Sequence, residues 1–105
     1  MKPLYRRMIG VLEERSDAGP KEWGVYLLRC SDGSYYTGIA KDVKDRLRRH
    51  NAGKGAAYTR TRRPVRLLVR REGYTRSQAL VLEAKIKSLP RPKKLKTLRS
   101  ESSST

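Results

Sequence analysis

Apolar positions change period along this chain, and the changes outline its elements. Residues 23–30 form a nearly continuous apolar run and residues 34–39 form another, so both predict strands. Asp32-Gly33 between them predicts a hairpin, since type I′ turns need residues that accept positive φ. The length of that turn sets the register. A two-residue loop would send Tyr26 and Tyr36 to opposite faces, whereas a three-residue loop with a glycine bulge would put them on one face. After Asp42 the period becomes helical. Val43, Arg46, Leu47 and His50 share one face, with Asp42 as N-cap, Asp45 in the first turn and a stop at Gly53. Two apolar residues on that face turn it toward the core and carry Arg46 and His50 with it.

Residues 53–63 predict a basic, glycine-containing loop. Val65, Leu67 and Val69 alternate with Arg66, Leu68 and Arg70, which predicts a third strand with the first three on one face. Thr75 and Gln78 fit a capping box for a helix over 76–89, with Ala79, Leu82, Ile86 and Leu89 as its apolar stripe and Glu83 at the stripe's edge. Pro90 and Pro92 end it, and a short basic helix to Leu98 is expected next. Leu4, Met8, Val11 and Leu12 have helical spacing, so residues 1–20 predict an N-terminal extension with a short helix and a linker at 16–20. Residues 21–99 then form one α+β domain, and residues 100–105 a disordered tail. The sheet is expected to be small, three-stranded and antiparallel, flanked by helices.

Composition narrows the partner. The 105 residues suffice for one small domain, and the net charge of +16 favours a polyanion, DNA first and RNA as an alternative. No apolar run approaches about 18 residues, so a membrane partner is not expected. Cys30 is the only cysteine, which excludes an internal disulfide and suggests a reducing cytoplasm. One cysteine and one histidine cannot build a zinc finger. No small-molecule cofactor is expected.

Five residues carry groups suited to proton transfer and to holding an anion or a hard cation. Tyr26 and Tyr36 can shuttle a proton, the more readily with a lowered pKa, and His50 titrates near neutrality. Arg46 offers a fork to phosphate oxygens, and Glu83 can anchor one hard cation. Each also has an ordinary structural reading. Strand tyrosines pack, Arg46 lies i+4 from Asp42, and Glu83 lies i−4 from Lys87.

The tripeptides Gly24-Val25-Tyr26 and Tyr36-Thr37-Gly38, followed by Arg46, His50 and Glu83, resemble the signature of the GIY-YIG nuclease superfamily. Over residues 23–90 the chain is most similar to its small single-domain bacterial branch. The resemblance implies three antiparallel strands with flanking helices and a metal-dependent endonuclease. It implies that one tyrosine, helped by His50, is the general base, that Arg46 binds the scissile phosphate, and that Glu83 holds a single Mg²⁺ or Mn²⁺. Two departures stand out. The chain's only asparagine is Asn51, whereas many members carry one after the glutamate, and position 39 is Ile where some carry lysine. Lys54, Tyr58, Arg60, Arg62, Arg63, Lys93 and Lys94 are the expected nucleic-acid contacts, with Tyr58 able to stack on a base. Substrates with branches, flaps, damage or single strands are expected, in DNA repair or recombination at the nucleoid. A non-catalytic DNA- or RNA-binding module of this fold, or a small ribosome-associated protein, are the alternatives.

Overall fold

A computed structural model describes residues 19–101. The proposed N-terminal extension through Ala18 and the last four residues of the tail lie outside them. Among the described residues the elements in order are β1 (Trp23–Arg29), β2 (Tyr35–Ala40), α1 (Val43–Asn51), α2 (Ala57–Arg60), β3 (Arg66–Tyr74), α3 (Arg76–Lys87) and α4 (Arg91–Ser100). The strands form one antiparallel sheet in the order β2-β1-β3. Both faces of the sheet are covered, so central β1 is buried along its whole middle, which accounts for its continuous apolar run.

Alternate residues of β1 serve different layers. Val25 and Leu27 pack with Ala79, Leu82 and Ile86 of α3 and Leu98 of α4. Tyr26, Leu28 and Cys30 pack with Ala40, Val43 and Val65, beneath α1. Leu27 and Ile86 are fully buried, and each such side chain contributes about 1.5–3 kcal/mol of hydrophobic stabilisation.

The hairpin takes the three-residue form rather than the two-residue type I′ turn. Gly33 alone in the loop has positive φ, at +85°. Gly33 N–H donates to Cys30 O at 2.9 Å, and Cys30 N–H donates to Ser34 O at 2.8 Å, so Ser31, Asp32 and Gly33 form the loop. Asp32 supports it as an acceptor for the Ser34 backbone N–H. The resulting register sets Tyr26 opposite Gly38 and Leu28 opposite Tyr36, and so places both tyrosines on the α1 face.

In β3 the simple alternation breaks. Leu28 pairs with Leu67 but Leu27 pairs with Val69, so an irregularity at Leu68 inserts one residue. Val65 and Leu67 consequently face α1, while Leu68 and Val69 face the α3 layer. The expectation that Val65, Leu67 and Val69 share a face fails for this reason.

The caps follow the sequence closely. Asp42 accepts from the Asp45 N–H, and Thr75 and Gln78 form the reciprocal box. Residues 53–63 are not simply a loop, because they contain the one-turn helix α2. The C-terminal end also differs: Ser100 closes α4, and Glu101 accepts from Lys85 Nζ at 3.1 Å and from Arg71 Nε at 2.6 Å. Among the described residues no helix is long and apolar enough to cross a membrane.

Candidate active site

The α1 face of the sheet gathers four of the proposed residues. Tyr26 projects from β1, and its ring crosses the edge strand at Gly38. A Cβ on Gly38 would stand 2.5 Å from Tyr26 Cζ, so the motif glycine is the space the ring occupies. Gly24 has a similar cause, with Val43 Cγ2 and the Arg71 carbonyl both 3.3 Å from where its Cβ would be. From α1, His50 reaches down to Tyr26, with Nε2 2.9 Å from the phenolic oxygen. Tyr36 completes the cluster through its ring, centred 5.2 Å from the imidazole and 6.4 Å from Tyr26.

Arg46 lies one turn before His50, and its guanidinium acts on the Tyr26 phenol, favouring the phenolate. Its Nε is buried and meets no hydrogen-bond partner among the described residues. A desolvated donor left open costs stability, and on this face it is suited to an incoming anion. Arg46 also lines an open cleft of about 320 Å³ with Trp23, Lys41 and Arg49. Glu83 comes from the other layer, on α3, which packs against β1 and β2. It is largely buried, pairs with Lys87 at 3.3 Å, and its charge acts on Tyr26. Hence the other four residues all bear on the Tyr26 phenol.

Electrostatics separate the two partners of that hydrogen bond. Burial pushes the Tyr26 phenol up to about 12, although the Arg46 guanidinium beside it pulls the other way. The lowered pKa that would ease proton shuttling is not found at Tyr26. Burial, helped by the Arg46 charge, pushes His50 below its ordinary 6.5, so the imidazole is neutral at pH 7. This has a consequence for stability. The unfolded chain binds the histidine proton at higher pH than the folded one, so this contribution is complete above about 6.5 and is lost as pH falls from there through the folded value. Melting curves between about pH 8 and about pH 5 are expected to show Tm dropping on the acid side, with a shallower drop in His50→Gln. An equal drop in both proteins would place the acid sensitivity elsewhere.

The proposed nucleic-acid contacts divide. Lys54, Arg60 and Lys93 are exposed. Arg62 is committed internally: Nε donates to Asp32 at 3.0 Å, Nη1 to Tyr58 O at 2.8 Å, and its guanidinium lies 3.9 Å from the Tyr58 ring centre. Arg63 donates to the carbonyls of Arg60 and Asn51. Lys94 Nζ donates to the last carbonyls of α3, those of Ile86 and Lys87. Tyr58 is partly exposed, at 38%, but it already stacks on Tyr36 with centres 6.1 Å apart. Asn51, conspicuous as the lone asparagine, clamps the entry to β3 by two hydrogen bonds with the Val65 backbone. Thr59 was not singled out by the sequence. It is buried under α1 and contacts His50 Nδ1 at 2.7 Å.

A Mg²⁺ or Mn²⁺ suits the donors present. Glu83 supplies a carboxylate oxygen, the hard donor that anchors such an ion while water and phosphate complete its shell. Among the described residues no cluster of three or more His, Cys, Asp or Glu could form a larger cation cage.

The chain belongs to the GIY-YIG family, a nuclease superfamily. The family model described as the GIY-YIG catalytic domain matches residues 22–96. Within it the chain is similar to a UPF0213 protein of Staphylococcus aureus strain Mu3, 51% identical over 75 residues, covering 71% of this chain and 92% of that one. Among solved structures it is similar to protein EF2693 from E. faecalis, at 36% identity and a TM-score of 0.52, covering 81% and 88% of the two chains. The UPF0213 protein BH0048 from Bacillus halodurans is 40% identical, with 76% and 85% covered and a TM-score of 0.48.

Proposed function

We propose that this protein is a metal-dependent DNA endonuclease that selects branched, flapped, damaged or single-stranded structure, acting cytoplasmically on the nucleoid in repair or recombination. The observation that carries the reading is the Tyr26 oxygen, which meets the His50 imidazole at 2.9 Å and feels the charges of Arg46 and Glu83. In this reading water gives a proton to Tyr26 as it attacks phosphorus, and Tyr26 passes its own proton to His50 Nε2. That relay suits a phenol of high pKa, because no free phenolate need accumulate. Arg46 holds the scissile phosphate and steadies negative charge on both oxygens. Glu83, released from Lys87, would hold one Mg²⁺ or Mn²⁺. Bound there, the ion supplies charge neutralisation at the phosphate and the leaving oxygen. Exposed Lys54, Arg60 and Lys93 serve phosphates, which position a substrate without reading its sequence. That favours selection by structure.

A second reading is a non-catalytic nucleic-acid-binding module, favoured by the raised Tyr26 pKa and the Glu83–Lys87 pair. The test uses labelled flap, fork, Holliday-junction and single-stranded DNA, with single-stranded RNA beside them. Cutting by the wild type is expected with Mg²⁺ or Mn²⁺, is expected to stop with chelator, and is expected to drop in Glu83→Gln while DNA affinity stays. Tight binding without cutting by any protein would establish the module instead. Equal cutting by both proteins would place the activity outside this site.

A further inference from the structure

We propose that Thr59 is a positioning residue that fixes neutral His50 in its Nδ1–H tautomer, leaving Nε2 as the acceptor for the Tyr26 hydroxyl proton. The inference deepens the endonuclease reading above and rests on it for its catalytic part only. The three contacts form one buried line. Thr59 Oγ1 donates to the Ala56 carbonyl at 2.9 Å, Thr59 Oγ1 meets His50 Nδ1 at 2.7 Å, and His50 Nε2 meets the Tyr26 oxygen at 2.9 Å.

Proton counting gives the line its direction. A hydroxyl has one proton, and a carbonyl can only accept. With the Thr59 proton given to Ala56, its oxygen faces Nδ1 as an acceptor, so Nδ1 must carry the N–H. Neutral imidazole has one N–H, so Nε2 is bare. The other end agrees. Among the described residues the Tyr26 hydroxyl meets one hydrogen-bond partner, His50 Nε2, and bare Nε2 takes the phenol's proton. The reverse assignment would aim Nε2–H at the phenol and leave the buried Tyr26 proton with no acceptor among the described residues.

Burial keeps water from substituting. His50 and Thr59 are both 0% exposed, and Tyr26 is 1% exposed. The loop also walls the ring: a Cβ on Gly55 would stand 2.8 Å from His50 Cγ, and nearer still to Nδ1. The one-turn helix α2 thus has a definite task, which is to hold the Thr59 hydroxyl against its own first carbonyl and the imidazole. When Nε2 takes the Tyr26 proton, Nδ1–H stays on Thr59, so the imidazolium forms without any rearrangement beneath it.

His50 is the chain's only histidine, so ¹⁵N-histidine labelling reads this residue alone. Long-range ¹H–¹⁵N spectra of the wild type near neutral pH are expected to show Nδ1 protonated and Nε2 bare. In Thr59→Val the population is expected to move toward Nε2–H, and kcat on the best DNA substrate to fall roughly tenfold or more with KM unchanged. Thr59→Ser is expected to restore both. An Nε2–H wild type, which requires no variant to fold, would overturn the proposal. So would Thr59→Val with both the wild-type tautomer and the wild-type kcat. An Nδ1–H wild type whose tautomer responds to Thr59, in a protein that cuts nothing, would uphold the assignment and count against the endonuclease reading instead.

Discussion

Tyr26→Phe is expected to lower kcat by roughly 10²- to 10⁴-fold while leaving DNA affinity near the wild-type value. Phenylalanine keeps the ring that fills the space over Gly38 and keeps the buried packing with Leu28 and Val43. What it removes is the oxygen that meets His50 Nε2 and feels the Arg46 charge. The substitution leaves His50 Nε2 as a buried acceptor with no donor, which costs about 1–3 kcal/mol, so Tm should fall modestly and the fold should persist. Affinity is spared because the phenol is buried and the exposed cations do the long-range work. Single-turnover cleavage alongside a binding assay checks both halves. Tyr36→Phe is the informative comparison. Tyr36 enters the site through ring contacts with His50 and Tyr58, so losing its hydroxyl should cost less than losing that of Tyr26. A larger loss at Tyr36 would reverse the assignment of the proton carrier.

The sequence exposes those parts of the molecule that depend on short-range periodicity. Val43, Arg46, Leu47 and His50 share a face because helical geometry requires it, and α1 delivers them to the core as the spacing predicts. The caps at Asp42 and Thr75 are equally local. Register was less legible. Asp32-Gly33 is compatible with two loop lengths, and the difference lies in one dihedral: Asp32 is not in the positive-φ region and Gly33 is. That single fact moves Tyr36 to the face of Tyr26. The insertion at Leu68 was hidden for a related reason. Both sheet faces are covered, so leucine and valine are acceptable on either, and the pattern does not reveal the slip.

Charge alone does not show how donors are spent. Arg62, Arg63 and Lys94 are expected as phosphate contacts, and in the folded protein all three also donate to backbone carbonyls. An arginine has five N–H groups, and a loop with few internal hydrogen bonds consumes them. Thr59 went unnoticed because its partners, Ala56 and His50, come together only when the loop folds back under α1. In sequence it is one more polar residue in a basic segment.

Arg46→Ala is expected to reduce kcat/KM for DNA roughly 10²- to 10³-fold, the loss typical when a donor aimed at developing negative charge is removed. The structural ground is the side chain's placement: the Arg46 charge acts on Tyr26, and its buried Nε meets no hydrogen-bond partner among the described residues. In the proposed reading the acceptor for that donor is the phosphate. Arg46→Lys should recover only part of the rate, because an ammonium supplies charge without the planar fork. The same variants carry a second signature. The Arg46 charge adds to burial in holding His50 below 6.5, so its removal should move the acid limb of the kcat profile upward, toward 6.5. The sign follows from the relay: His50 must be neutral to accept a proton, and without the nearby cation it protonates at higher pH. Arg46→Lys keeps the cation and should leave the limb near its wild-type position. A pH–rate series on the three proteins separates the roles. A large rate loss with an unmoved limb would confine Arg46 to phosphate binding. A wild-type rate in Arg46→Ala would remove it from the site.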